Sequence, residues 1–349
     1  MAGGLKGHAP PRADLAGKRV LFSAPRFFGY EQEIAAELHR RGAQVDFLAD
    51  RPFDSPLLHA AARFSRRAVL LHTDRHYRRT MAGFDGGAYD HVLIVNGQTM
   101  PRALLAEIRR DNPHARFTLY MWDSLANRRD ALGLLDLFDR AFSFDPDAAR
   151  QHAMRFRPLF FAPAYEAPAE PQEIVHDLSF IGTAHTDRHA VVSRLDATLD
   201  PQVRRFWYLY LQARWVWLAY RLTNPAFRQA PMADFRFTPL PRAEGVRAFW
   251  QSRAILDIEH PRQTGLTIRT FETLGARRKL VTTNAGIRDY ALFDPALIQV
   301  IDRQAPRVDR SFLLEDAPGL EEAVRRRYSL AGWLDEVLAE ADHSADHLA

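Results

Sequence analysis

The chain has 349 residues and no cysteine, with 47 Lys plus Arg against 43 Asp plus Glu, 47% apolar residues and 26% charged ones. That length suits about two domains, each able to bury a core of its own, and a chain without cysteine excludes disulfide frameworks, thiolate metal sites, iron–sulfur clusters and a cysteine nucleophile. Lys6, Lys18 and Lys279 are the only lysines, so arginine carries nearly all the positive charge, and no long basic run interleaved with aromatics points to nucleic acid.

Residues 1–17 read as a flexible tail without the apolar core of a secretory signal, which gives a cytoplasmic expectation. From Lys18 a short apolar run, a loop with Pro25 and Gly29, a helical pattern on Ile34, Ala35 and Leu38, Gly42 and a second run over Gln44 to Leu48 predict a β-α-β unit. Further strands are expected at Ala68 to Leu71, His91 to Asn96, Phe117 to Trp122 and Arg140 to Phe144, with helices near Arg102 to Arg110 and Asp145 to Met154. Strands alternating with helices imply a mostly parallel sheet covered on both faces, here an N-terminal domain over 18–165.

The proline-rich stretch Arg157 to Glu173 disfavours helix and central strand alike, and 166–175 reads as an interdomain linker. A second α/β series follows over 176–318, with strands at Leu178 to Ile181, Ala254 to Ile258, Lys279 to Thr283 and Ile298 to Ile301 and a helix at Ile268 to Gly275. Residues 319–349 read as helices and a tail that pack back across the linker. The pentapeptide His-Thr-Asp-Arg-His occurs at His72 to His76 and at His185 to His189. Its flanks do not match, which favours coincidence over duplication. Two histidines four apart would suit a metal on a helix, but no further ligand stands at motif spacing, so no metal is expected. The aromatic segment Arg204 to Arg221 is too short and too interrupted to span a membrane. As a helix it would lie in a membrane interface or be buried between domains or subunits. No residue pattern sets the oligomeric state.

The densest chemical signal is Ile255 to Tyr290. A buried strand ends near Glu259, a loop from His260 to Thr267 follows, and a helix then carries Arg269 and Glu272 in its first turns. Ligands of open α/β sheets bind outside the carboxyl ends of the strands, where a helix N-terminus offers N–H groups to an anion. A diphosphate fits there, with Thr267 adding a hydroxyl, Arg269 a bidentate charge and Glu272 an acceptor for both hydroxyls of a ribose. The plain alternative is a strand-loop-helix unit with Arg269 paired to Glu272.

The segment Gly265 to Asn284, with its Arg-x-Phe-Glu core at Arg269 to Glu272, resembles the donor-binding segment of GT-B glycosyltransferases, in particular the CgeB-like group and the bacterial capsule and lipopolysaccharide biosynthesis enzymes. The resemblance extends to Asp177 to Thr183, Met121 to Ser124, Arg157 to Phe161 and Ile301 to Arg303, and so covers roughly 18–305. It implies two Rossmann-like domains facing across a cleft, the N-terminal one holding an acceptor and the C-terminal one a nucleotide-diphosphate sugar. It also implies a ribose role for Glu272 and a phosphate-loop role for Gly182 and Thr183. The Glu-x7-Glu pattern of retaining relatives would need an acid at Thr264, so the stereochemistry stays open.

Glycosyl transfer builds negative charge on the departing diphosphate, which fixed N–H groups and an arginine can stabilise without a metal, and Arg269 is the candidate. An inverting enzyme also needs a base for the acceptor. Asp123, past the strand ending at Trp122, is the first candidate and Glu31 the second; a helix N-cap and a first-turn acid are their plain alternatives. Asn284 either contacts the sugar or opens a turn with Gly286. His260, Gln263 and Gly265 lie in the donor loop, where His260 and Gln263 reach phosphate or sugar or bond within the loop. Arg188 reaches a phosphate or pairs with Asp187 or another acid. The expected function is transfer of a sugar from a nucleotide diphosphate to a surface glycan or its lipid-linked precursor, with no cofactor. A nucleotide-sugar epimerase of the same fold and a silent scaffold are the rivals.

Overall fold

The computed structural model describes residues 14–50, 66–125 and 129–339. These form two compact units: the described residues up to Pro158 with the segment from Leu330 make one, and Leu159–Ser329 makes the other.

The first unit contains β1 (Arg19–Pro25), α1 (Tyr30–Arg40), β2 (Gln44–Asp50), α2 (Arg66–Met81), β3 (His91–Val95), α3 (Arg102–Asp111), β4 (Arg116–Met121), β5 (Arg140–Ser143), α4 (Pro146–Gln151) and β6 (Arg155–Phe156). All neighbouring strands pair parallel, in the order β2-β1-β3-β4-β5-β6. Crossover helices cover both faces, which is why β1 and β3 are near-continuous apolar runs with Phe22 in register with Phe47 and Leu93. At α4, Asp145 caps the N–H groups of Asp147 and Ala148 while Pro146 fills the first turn.

The C-terminal helix α11 (Leu330–Val337) belongs to this first unit although the chain reaches it from the second. Trp333 is fully buried, edge-on to Tyr120 at 4.8 Å. Arg41, also buried, donates to Asp335 at 2.6 Å and to Glu37 at 2.8 Å, and Arg157 pairs with Glu336 at 2.9 Å.

In the second unit follow β7 (His176–Thr183), α5 (Arg188–Asp196), β8 (Arg205–Tyr210), α6 (Arg214–Thr223), β9 (Phe235–Arg236), α7 (Arg242–Trp250), β10 (Ser252–Asp257), α8 (Ile268–Gly275), β11 (Lys279–Thr282), β12 (Ile298–Val300), α9 (Arg310–Leu314) and α10 (Glu322–Arg327). This sheet is also parallel, in the order β12-β11-β10-β7-β8-β9. The chain starts in the middle at β7, builds one half outward and returns to β10 to build the other. Successive strands therefore diverge between β7 and β10, the switch point at which α/β sheets bind ligands. From Leu159 onward the proline-rich segment lies on this unit, where the Ala167 N–H donates to Gly275 O at 3.0 Å.

Two expected elements differ. Ala68 to Leu71, expected as a strand, lies inside helix α2; a four-residue apolar run does not distinguish strand from helix by periodicity. Arg204 to Arg221, treated as one helix, is strand β8 followed by α6. Its first half, Phe206 to Tyr210, is a run of aromatics and leucine that suits a strand flanked on both sides, and β8 pairs with β7 and β9. The two copies of the repeated pentapeptide also differ: one lies within α2, the other runs from a loop into α5.

Candidate functional site

The carboxyl ends of β7 and β10 carry the densest polar cluster of the second unit. Past Asp257 the loop runs to Thr267, the N-cap of α8. The Thr267 side chain accepts no backbone N–H of its helix; its hydroxyl donates to Asp257 at 2.7 Å, and the Thr270 hydroxyl donates to the same oxygen at 3.0 Å. The buried Asp257 carboxylate thereby fixes the start of α8 against the strand end, with its first-turn N–H groups uncapped by Thr267.

Three arginines surround this point. Arg188, first residue of α5, donates to Ile258 O at 2.8 Å and Thr183 O at 3.1 Å, tying the two loops of the switch point together. Burial pulls its pKa down to about 10. Arg303, after β12, holds Asp187 through two bonds of 2.8 Å and Glu259 Oε1 at 2.6 Å. The hydrogen bonds from Arg303 keep the Asp187 carboxyl below the usual range, whereas burial lifts that of Glu259, which Thr283 and Arg303 partly offset. Arg269 lies over the Phe249 ring at 5.3 Å and 3.6 Å from Glu272. Between the arginines the rings of His185 and His260 stand 6.0 Å apart. Burial first, then Arg188 and His260, push His185 down to about 4. His260 is lowered too, by burial and then by Arg262. The site therefore presents neutral imidazoles beside fixed positive charge at neutral pH.

Of the residues singled out from the sequence, Gly182, Thr183, Arg188, His260, Gln263, Gly265, Thr267, Arg269, Glu272 and Asn284 all lie on the second unit, on or after β7, β10 and β11. Arg188 bonds to backbone carbonyls, and its expected partner Asp187 holds Arg303 instead. His260 Nδ1 accepts the Arg262 N–H at 3.2 Å and Gln263 donates to Gly265 O at 2.8 Å, so both bond within their own loop. Asn284 caps the turn after β11 by accepting the Gly286 N–H at 3.0 Å. Glu272 is buried and receives the hydroxyl of Tyr165, whose pKa is raised by burial and then by that carboxylate.

Asp123 and Glu31 lie on the first unit. Asp123, past β4, accepts the side-chain amide of Asn96 at 3.1 Å, and Asn96 in turn accepts the Trp122 N–H at 3.1 Å. Glu31, in the first turn of α1, accepts the Phe27 N–H at 3.0 Å and is buried. Asp257, Glu259, Asp187, Arg303 and His185 were missed as site residues. The position of Asp257 and Glu259 at the end of an apolar strand was the available signal. Among the described residues, no group of three His, Asp or Glu is arranged to hold a metal ion.

No family model matches the chain, and no curated protein matches its sequence. Solved structures match its fold. HepE of Anabaena, in complex with UDP and glucose, is 12% identical, with 92% of this chain and 98% of that one covered at a TM-score of 0.51. The same protein in complex with UDP-glucose is 11% identical at a TM-score of 0.51, with 92% and 98% covered. A glycosyltransferase from Rickettsia africae ESF-5 is 10% identical, with 93% and 99% covered at a TM-score of 0.54. These likenesses show the fold: two Rossmann-like domains of the GT-B class.

Proposed function

We propose that the protein is a GT-B glycosyltransferase of the CgeB-like and capsule or lipopolysaccharide group, moving a sugar from a nucleotide diphosphate to a surface-polysaccharide acceptor or its lipid-linked precursor. The observation that carries this reading is the switch point of the second unit. There the start of α8, fixed by Asp257, meets Arg188, Arg269 and Arg303 at the ends of adjacent strands. An anion placed there meets helix N–H groups and guanidinium charge together. The UDP and UDP-glucose held by HepE, which shares the fold, support the same class of donor.

In this reading the diphosphate lies at the first turn of α8, beside Thr183 and Gly182, and Glu272 holds the ribose. As the glycosidic bond breaks, charge grows on the departing diphosphate and the arginines stabilise it where it develops, without a metal. At 3.6 Å the contact of Arg269 with Glu272 is looser than a hydrogen bond, which leaves its donors for phosphate. On the first unit, Asp123 is the base for an inverting reaction, since the Asn96 amide orients its carboxylate. Glu31, with its carboxylate on the Phe27 N–H, is a positioning residue for that loop rather than a base.

No helix among the described residues is long and apolar enough to cross a membrane. Contact with a lipid-linked acceptor would come through α6, where Trp215, Leu218 and Leu222 are exposed.

The test is a thermal-shift screen against UDP, GDP, CDP, TDP and ADP and their common sugars, with and without magnesium, on the wild type and Glu272→Ala. Stabilisation by one nucleotide family, independent of magnesium and weakened at least about tenfold in the variant, is expected. No shift with any nucleotide would sink the reading in favour of a scaffold; donor turnover without an acceptor would favour an epimerase.

A further inference from the structure

The loop after β1 is strained and displays aromatic side chains to water. Phe28 has φ 50° and Gly29 φ 80°, and the Tyr30 N–H donates to Phe27 O at 3.0 Å. Two left-handed residues closed by that bond form a type I′ turn, whose first central position takes Asn, Asp or Gly. Here it holds a phenylalanine, for which the left-handed region is a true outlier. Phe28 is also 72% exposed and Phe27 45% exposed, so burial does not compensate the strain. Backbone strain without a packing reason marks a functional position.

Neighbouring groups say what that function is. The Phe27 and Phe28 rings meet edge to face at 4.7 Å, and Phe27 lies 6.2 Å from Trp122. Trp122 precedes Asp123, and Asn96 braces both from the end of β3. Since β1, β3 and β4 are adjacent in the sheet, three aromatic rings and a carboxylate–amide pair share one carboxyl edge. Glu31 fixes the loop by accepting the Phe27 N–H. A ligand matching this edge has an apolar face of polarised C–H groups for the negative faces of the rings, and a hydroxyl for the half-buried Asp123 carboxylate, which the buried Asn96 holds in place. A pyranose ring has both; a hydrocarbon chain would leave the carboxylate unused.

We propose that Phe27, Phe28 and Trp122 form a stacking platform for a sugar ring of the acceptor, which sets that ring beside Asp123. The proposal rests on the glycosyltransferase reading for the word acceptor, while the sugar contact is independent of it. The strain at Phe28 is then the consequence of holding a ring where only a turn residue fits well.

Saturation-transfer NMR on the full chain tests this, with and without UDP, using methyl β-D-glucopyranoside, methyl β-D-galactopyranoside and methyl N-acetyl-β-D-glucosaminide as probes. The wild type should saturate the axial ring protons of at least one probe. Phe28→Gly should cut that signal about fivefold, the size of one aromatic contact, without lowering the Tm, because glycine relieves the turn. Phe27→Ser should cut it as well, and Leu314→Ser, at an exposed position of α9, should not. Absence of any Phe28-dependent signal overturns the platform. So does a Phe28-dependent loss of binding to vesicles containing polyprenyl phosphate with no sugar signal, which would assign the rings to lipid. UDP binding without a Phe28-dependent sugar signal would sink the platform and leave the transferase reading; a Phe28-dependent sugar signal without binding of any nucleotide would do the reverse.

Discussion

The Thr267 hydroxyl donates to the Asp257 carboxylate at 2.7 Å, so the residue that should cap α8 is turned back onto the strand that precedes it. With Thr270 on the same oxygen, this one buried carboxylate sets where α8 begins. Asp257→Ala leaves two hydroxyls without their acceptor, and a loss of about 2 kcal/mol of stability is expected. Nucleotide affinity should fall about tenfold with it, as the N–H groups and Arg269 lose their fixed origin. Asp257→Asn keeps an acceptor and should lose less of both. Urea unfolding beside nucleotide titration checks the pair of effects.

The region around α8 was legible because its signals are local: an apolar run, a glycine-containing loop and a helical pattern within Ile255 to Gly275. The partners of the charged residues were not. Arg303 reaches Asp187 across 116 positions, and only the parallel sheet, which brings the ends of β7 and β12 to one edge, makes them neighbours. For the same reason Arg188 read as a partner of Asp187, its neighbour in sequence. The β8 segment was misread because aromatic runs satisfy a strand and a helix equally well until pairing decides. Phe28 gave no signal, since a strained backbone angle is invisible in a residue type that normally avoids it.

His185 makes stability depend on pH. Burial, then Arg188 and His260, hold its folded-state pKa at about 4, against about 6.5 in an unfolded chain. Between these values the unfolded state binds the proton and the native state does not, so native stability is full above about pH 6.5 and falls as the pH drops toward 4. The loss is on the order of 3 kcal/mol at most, and His260 and His176, also lowered, act in the same direction. Urea midpoints at pH 7, 6 and 5 should fall in turn, and His185→Gln should flatten the trend. An unchanged trend in the variant would assign it to the other histidines.

Arg41 joins α1 to the C-terminal helix through Asp335 at 2.6 Å and Ala331 O at 2.7 Å, with Glu37 beside it at 2.8 Å. All three side chains are buried. Arg41→Ala takes this cation from the buried Asp335 carboxylate, while Arg40 still holds Glu37 at 2.8 Å, and a loss of about 3 to 5 kcal/mol is expected. Arg41→Met combined with Asp335→Leu should recover most of it, because the uncompensated charge is removed along with the pair. Thermal unfolding of the single and double variants separates the two cases.

On α6, Trp215, Leu218 and Leu222 are 70%, 53% and 77% exposed, while Val216 and Trp217 are buried on the opposite side. Spacings of three and four place the exposed three on one stripe, and between Asp200 and Asp234 the chain has arginines but no acid. Such a stripe should bind vesicles rich in anionic lipid and release them as salt rises. Trp215→Glu with Leu222→Glu should abolish co-sedimentation and leave the Tm unchanged, since neither side chain is packed. Equal sedimentation of variant and wild type would remove α6 from any role at the bilayer.

Gly275 ends α8, and a Cβ there would lie 2.7 Å from the ring of Phe161. That ring is fully buried, and its backbone N–H is held by Tyr328 O at 2.9 Å, so it has little room to give way. Gly275→Ala should cost about 1 to 3 kcal/mol by overpacking. The effect on binding follows from where the helix can yield. Asp257 holds the N-terminal end through Thr267 and Thr270, so a displaced C-terminal end makes α8 pivot about the clamp and carries Arg269 and Glu272 with it. Nucleotide affinity should then fall together with the Tm, and Phe161→Ala, which removes the Cγ and Cδ2 atoms at the point of collision, should restore the affinity while the cavity it opens keeps the Tm low. A Tm loss with unchanged affinity would show that the last turn of α8 absorbs the strain alone and that the clamp isolates the site from it.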